Sequence, residues 1–349
     1  MNNARGFLLL ATLLASSPLV LVAQQASEQI VVDDPDQADG DFRFQGEYEG
    51  MFRSGRLPRP TGLQVIALGG GKFDAVLYIG GLPGTGWNET TQIAMHGEVN
   101  EQGQLSLQGD NVSVELQHGK GTIKDLQQGH SGRLHKVVRY SSTLGASPAR
   151  NSLVLFDGDM PEHFDGARIT EDGLLMEGVT TTMPVGDFQL HLEFRIPYMP
   201  LARGQARGNS GVYIQRRYEV QILDSFGLAG ANNECGGIYR QLEPRINMCL
   251  PPLSWQTYDL LFRQARWQGD EKIENARITV LHNGVRIHSK QPITAKTGAG
   301  QKETAVPLPI HLQNHGNPVR FRNIWLVMDK QRLGQRVGWS RITGDREKN

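Results

Sequence analysis

Residues able to hold a polyhydroxylated ligand recur at every second position in the C-terminal half of this chain. In GNSGVYIQRRYEVQILDSF (208–226), Gly211, Tyr213 and Gln215 alternate with Val212 and Ile214. After Arg216-Arg217, Glu219 and Gln221 alternate with Tyr218, Val220 and Ile222. Downstream, His311, Gln313 and His315 share one side of HLQNH, and Arg320 and Arg322 share one side of VRFRN. Four segments of this kind would bring Tyr213, Gln215, Glu219, Gln221, Gln313, His315, Arg320 and Arg322 to one surface. Amides, a carboxylate, two guanidinium groups and an aromatic ring supply directional donors and acceptors plus a stacking face. Such a set suits a hydroxyl-rich ligand such as a sugar. Any solvent-facing sheet also alternates, but usually with Lys and Glu rather than with recurring amides, His and Arg. Three further residues stay open between a turn or loop role and a ligand contact: Asn209, Asp224, and Tyr239 beside Gly236-Gly237. No HExxH pair and no GxSxG elbow occurs, so zincin and serine-hydrolase chemistry are not indicated.

The elements that must position these groups are strands. A period of two with β-branched and aromatic residues is a half-buried strand signal. FQLHLEFRI (188–196) alternates strictly, WQTYDLLFR (255–263) is strand-like, and Asn283-Gly284 between apolar runs is a hairpin turn signal. Before these, FRFQGEYEGMF, LQVIALGG, KFDAVLYIGGL, IAMHGEV and QLSLQG are short runs separated by glycine-containing turns. Gly69-Gly70-Gly71 lacks the spacing of a phosphate loop and reads as a hairpin turn. Almost no helical period appears anywhere. The chain is therefore expected to be all-β, with a β-sandwich or jelly roll in its C-terminal part and a smaller β domain before it.

With 349 residues the chain can bury two cores. Lys and Arg together number 36, as do Asp and Glu, so net charge gives no argument for nucleic acid or an anionic membrane as partner. Residues 1–23 read as a signal peptide: Arg5, then apolar Gly6 to Ala15, then Ser16-Ser17-Pro18, ending near Ala23. The uninterrupted apolar run is about half the roughly 20 residues of a spanning helix, so no membrane span is expected after its removal. The protein is then exported, periplasmic or extracellular. Residues 24–40 read as an acidic linker, 41–141 as the N-terminal β domain, 142–151 (STLGASPARN) as a second linker, 152–329 as the sandwich and 330–349 as a basic tail. In an exported chain Cys235 and Cys249 are expected to form a disulfide, whose closed loop is worth roughly 3 kcal/mol in the chain-entropy model.

Several ordered segments resemble the 3-keto-disaccharide hydrolase family. They are LFDG (155–158), the 208–226 stretch, CGGIYRQ (235–241), WQTYDLLF (255–262), VLHNGV (280–285) and LQNHGNPVRFRNIW (312–325). The chain departs from the family pattern in carrying His163-Phe164 where a Trp usually follows LFDG. The resemblance implies a concanavalin A-like sandwich and action on glycosides oxidised at C3. A ketone at C3 acidifies the C2 proton, and the glycosidic oxygen can then leave by elimination, followed by addition of water. Such a route needs a base, an enolate stabiliser and an acid. It does not need the paired carboxylates of ordinary glycosidases. On this reading Glu219 or His315 is the base, and Arg320 or Arg322 the stabiliser. Gln221, Gln313 and Asn209 position hydroxyls. No cofactor is required, although a divalent metal on Glu219, Asp224 and His315 is a second source of the electrophile. A non-catalytic carbohydrate-binding module and a cell-surface interaction protein are the alternative readings of the same face.

Overall fold

The computed structural model describes residues 30–53, 57–159 and 161–328. The expected signal peptide, the first part of the acidic linker and the basic tail lie outside the described residues. Chain alternation and glycine turns produce two β units. The first contains β1 (Gly46–Arg53), β2 (Pro58–Gly69), β3 (Lys72–Ile79), β4 (Gln92–Val99), β5 (Leu105–Gly109), β6 (Val112–Gln117), β7 (Lys120–Asp125) and β8 (Ser131–Val137). Each strand pairs antiparallel with the next, and β8 closes on β1, giving an eight-stranded barrel. Closure leaves no open sheet edge. The interior is filled by Tyr48, Leu63, Val65, Phe73, Leu77, Leu107, Val114, Ile123 and their neighbours. Gly70 and Gly71 take φ of +64° and +73° in the β2–β3 turn, the left-handed backbone that a tight hairpin asks of glycine.

The second unit contains β9 (Leu153–Phe156), β10 (Phe164–Asp165), β11 (Leu175–Met176), β12 (Val179–Thr181), β13 (Phe188–Arg195), β14 (Ser210–Ile214) and β15 (Tyr218–Ile222). It continues with β16 (Trp255–Arg263), β17 (Arg266–Gln268), β18 (Glu271–Glu274), β19 (Ala276–His282), β20 (Val285–Ile293), β21 (His311–Leu312) and β22 (Arg320–Val327). A five-stranded sheet runs β10-β12-β21-β14-β15. A larger sheet runs β11-β22-β13-β16-β19-β20, with β9 also on β22, while β17 and β18 form a separate ribbon. The apolar side of the smaller sheet is a row across the strands: Val179, Leu312, Val212, Val220 and Ile238. It shares one core with Leu190, Leu192, Phe194, Tyr258, Leu260 and Phe262 of the larger sheet. The architecture is thus a β-sandwich. Asn283 and Gly284 form the β19–β20 turn at φ +52° and +80°.

Both stretches read as linkers are docked. Val32 exchanges backbone hydrogen bonds with Tyr198, the Tyr198 hydroxyl donates to Asp39 at 2.9 Å, and Asp33 pairs with Arg320 at 2.6 Å. Polar, acidic composition signalled mobility, yet these acids have donors waiting on the sandwich. Ser141 and Thr143 are buried and hydrogen-bonded against β16. The barrel and sandwich also meet directly. Ile66 belongs to the sandwich core, and Arg207 and Arg203 donate to the Ala67 and Leu68 carbonyls at 3.2 and 3.0 Å. Arg139 pairs with the buried Glu47 through two hydrogen bonds and donates to the Pro83 carbonyl.

The expected Cys235–Cys249 disulfide is not formed in this structure. Both thiols are free and buried; Cys235 Sγ lies 3.2 Å from the Tyr258 hydroxyl and Cys249 Sγ 3.6 Å from the Leu223 carbonyl. Among the described residues no helix is long and apolar enough to cross a membrane.

Candidate functional site

Cross-strand register decides which polar side chains meet. Thr180 pairs with His311, His311 with Tyr213, and Tyr213 with Glu219. The Tyr239 N–H donates to the Glu219 carbonyl at 3.1 Å and Ile238 bridges Val220, so Tyr239 stands opposite Glu219. These five residues form one row on the face turned away from the core. In the next row, the Gln313 N–H donates to the Gly211 carbonyl at 2.9 Å, and Gly211 pairs with Gln221. Asn209, two residues before Gly211, lies on the same side.

Glu219 is the centre of this face. Its carboxylate accepts a 2.7 Å hydrogen bond from the Tyr213 hydroxyl. A side chain at Gly211 would collide with Glu219 Oε1. One at Gly298 would stand 3.3 Å from Oε2 and 3.1 Å from the Tyr239 ring. The two glycines therefore leave the space that the carboxyl fills. Glu219 is 3% exposed. Burial pushes its pKa up to about 7, opposed by the hydrogen bond from Tyr213. A carboxyl poised there can both take and return a proton near neutral pH.

Amides surround it. Gln221 Nε2 donates to Asn209 Oδ1 at 3.2 Å and to Gln205 Oε1 at 3.3 Å, and Asn209 Nδ2 donates to the Gln205 carbonyl at 2.7 Å. The Asn209 N–H donates to Asn317 Oδ1 at 2.7 Å. Gln221 Oε1 and Gln313 Oε1 are buried with no partner among the described residues. Unsatisfied buried acceptors are rare in folded proteins, and here they are aligned on the face that carries Glu219. The hairpin under the site is held at its end by Arg217, which donates to the Lys302 and Val306 carbonyls and to Thr304 Oγ1. Thr297 Oγ1 accepts from the Glu219 N–H at 2.7 Å, which brings Gly298 over the carboxyl.

Of the residues chosen from the sequence, Asn209, Tyr213, Glu219, Gln221, Tyr239 and Gln313 come together here. Five others do not. Gln215 lies beyond the end of β14 in a turn with φ +51°, and its amide is spent on the Val185 carbonyl at 2.6 Å and on Gln264. Asp224 is buried against Arg207 at 2.6 Å, next to the barrel. His315 is exposed in the turn after β21. Arg320 and Arg322 stand on the other sheet, paired with Glu177 and Asp33 and with Glu193 respectively. Alternation told which residues of β22 share a side but not which sheet the strand joins. Glu219, Asp224 and His315 accordingly form no common donor set for a metal, and no group of three His, Cys, Asp or Glu able to hold one occurs among the described residues. Gln205, Thr297, Gly298 and Asn317 reach the site from segments outside the strands, where alternation gives no signal, and the strand register adds His311 to the row of Tyr213 and Glu219.

The outer face of the larger sheet makes an instructive contrast. His191 Nδ1 bonds Asp259 at 2.6 Å, and Asp259 accepts from Thr143 at 2.7 Å. Glu193 accepts from Arg322, Asn323 and the Gly145 N–H. Burial works to raise the Glu193 pKa, but its hydrogen bonds to His191, Asn323, Arg322 and Gly145 win and hold it at about 2. Burial likewise opposes charge on His191, but Asp259 and Glu193 lift it to about 9. That cluster is a satisfied ion network beneath the docked 141–146 segment. Glu219 is a carboxyl with a single donor.

The model of the 3-keto-alpha-glucoside-1,2-lyase-like domain matches residues 151–327, just over half of the chain. No curated protein matches. Among solved structures, a candidate glycosyl hydrolase from Parabacteroides distasonis is 29% identical, covering 50% of this chain and 83% of its own, with a TM-score of 0.47. A second, from the same organism, is 17% identical over 55% of this chain and 98% of its own, with a TM-score of 0.39.

Proposed function

This chain belongs to the 3-keto-alpha-glucoside-1,2-lyase-like domain family, and on that footing we propose that it cleaves glycosides carrying a ketone at C3 of the sugar. Glu219 takes the proton from C2, and the electron pair delocalises into the C3 carbonyl as an enolate. The enolate then expels the glycosidic oxygen from C1, which leaves with the proton Glu219 took from C2, and an enone remains. Water adds across the new double bond, hydroxyl to C1 and hydrogen to C2, to give 3-keto-glucose. The Tyr213 hydroxyl, able to turn from Glu219 once that carboxyl holds the proton, donates to the enolate oxygen in place of Arg320 and Arg322, while Gln221, Gln313 and Asn209 position hydroxyls, the free Oε1 atoms of the two glutamines accepting from them. The carrying observation is Glu219 itself: a buried carboxyl with its pKa pushed up to about 7, one hydrogen-bond donor among the described residues and two glycines that make room for it. Perturbed groups of this kind mark sites of chemistry more often than of packing.

The test is incubation of the purified protein with 3-keto-glucosides and measurement of 3-keto-glucose. Wild type should release it, and Glu219→Gln should be slower by about 10²–10⁴-fold, the usual contribution of a general base. No release by the wild type sinks the reading. Running the assay with and without a chelator separates an electrophile supplied by these side chains from one supplied by a divalent cation. We place the activity outside the cytoplasm because residues 1–23 have the pattern of an export leader. A mature N-terminus near Gln24, read by mass spectrometry of the secreted fraction, checks this.

A further inference from the structure

Resting on that reading, we propose that His311 determines specificity for the leaving group, its imidazole hydrogen-bonding a hydroxyl of a sugar unit attached at C1. The base must touch C2–H, so the oxidised ring sits over Glu219. On one side of Glu219 the row ends at Tyr239, half-buried beside Gly298 with the Arg240 guanidinium 5.2 Å from its ring centre. On the other side the row continues through Tyr213 to His311 and Thr180. His311 is two strands from Glu219, about 10 Å at the usual strand spacing. That exceeds the width of one pyranose ring, so His311 faces the next unit.

The imidazole is prepared for such a contact. Its Nδ1 and Thr180 Oγ1 are 2.9 Å apart, and its ring lies 6.2 Å from that of Tyr213. With Nδ1 held by Thr180, Nε2 is the nitrogen the proposal assigns to the ligand hydroxyl. Tyr213 and Glu219 are buried, whereas His311 and Thr180 at this end, like Tyr239 at the other, are half-buried, so the row is reachable from the His311 end. Burial and the nearby Arg216 lower the His311 pKa against a hydrogen bond with the Val179 backbone, which favours the neutral ring. A neutral imidazole suits a hydroxyl better than a charged partner.

The experiment compares a 3-keto-disaccharide with the methyl 3-keto-glucoside, which has no second sugar. His311→Phe, which keeps the ring but not its nitrogens, should lower kcat/KM on the disaccharide by at least tenfold and on the methyl glycoside by less than twofold. Thr180→Val, which frees the ring, should show the same split more weakly. An equal loss on both substrates, or none on either, overturns the assignment. If His311→Phe misfolds, judged by its melting temperature, the Thr180→Val split alone decides. If the wild type cleaves neither substrate, the proposed function has failed. The variants are then read by calorimetric binding of the unoxidised disaccharide and methyl glucoside. Weaker binding of the disaccharide alone supports His311, and unchanged or absent binding overturns it.

Discussion

A carboxyl buried without a compensating cation lowers the stability of its own fold. Glu219 has one hydroxyl donor and a pKa raised from 4.5 to about 7. Between those two values the folded chain keeps a proton that the unfolded chain has released, so stability falls as pH rises through this window. The full cost above pH 7 is about 3 kcal/mol by the pKa-to-energy conversion. Glu219→Gln should therefore raise the melting temperature at pH 8 and leave it nearly unchanged at pH 4, while slowing turnover by about 10²–10⁴-fold. A stability gain coupled to loss of function is the pattern expected of a catalytic group. The kcat/KM profile should rise through about pH 7 as the base ionises. In Tyr213→Phe this limb should move to higher pH, because the hydroxyl that favours the charged carboxylate is gone. A limb that stays in place would show that the Tyr213–Glu219 bond does not set it.

At the scale of elements, the polar sides of the two sheets have opposite uses. On β13 the alternation puts Gln189, His191, Glu193 and Arg195 on one side, and that side is covered by the 141–146 segment rather than by water. The His191 contribution is complete below the unfolded pKa of 6.5 and is lost as pH rises through about 9. Glu193 has its contribution above 4.5 and loses it only as pH falls through about 2, so it is constant in the alkaline window. The wild type should thus lose stability from pH 6.5 to 9, and His191→Gln should flatten that slope in thermal melts. Thr143→Val removes a donor to the buried Asp259 and should cost about 1–3 kcal/mol in denaturant unfolding.

At the scale of the whole molecule, barrel and sandwich share buried structure. Glu47, on β1, is 1% exposed and pairs with Arg139, and its Oε1 also accepts from Gln64 Nε2 at 2.9 Å. Ile66 fills the place beside Gly227. Arg139→Ala would leave a carboxylate buried without its cation, a loss of about 3–5 kcal/mol. Calorimetry of the intact chain should show one transition for wild type. Two separated transitions would mean that the contacts at Arg203, Arg207 and Ile66 do not couple the units.

Much of the fold and half of the site were legible in the residues. Alternation identifies β13 to β16, Asn283-Gly284 marks the β19–β20 hairpin, and glycine-separated runs mark β1 to β5 of the barrel but not β6 to β8. It also put Tyr213, Glu219 and Gln221 on one side, because adjacent strands of a hairpin have a register fixed by a short turn. What periodicity lacks is the identity of a strand's neighbours. β21 and β22 are separated by only a few residues, yet β21 joins the smaller sheet beside β14 and β22 the larger beside β13. That division sent Arg320 and Arg322 to an ion network and left His311 in line with Glu219. The same holds for the docked linkers and for Gly298. Local sequence dictates which side chains share a strand face; long-range pairing and burial decide which faces meet, and so which carboxyl is neutralised by partners and which is left with its pKa raised.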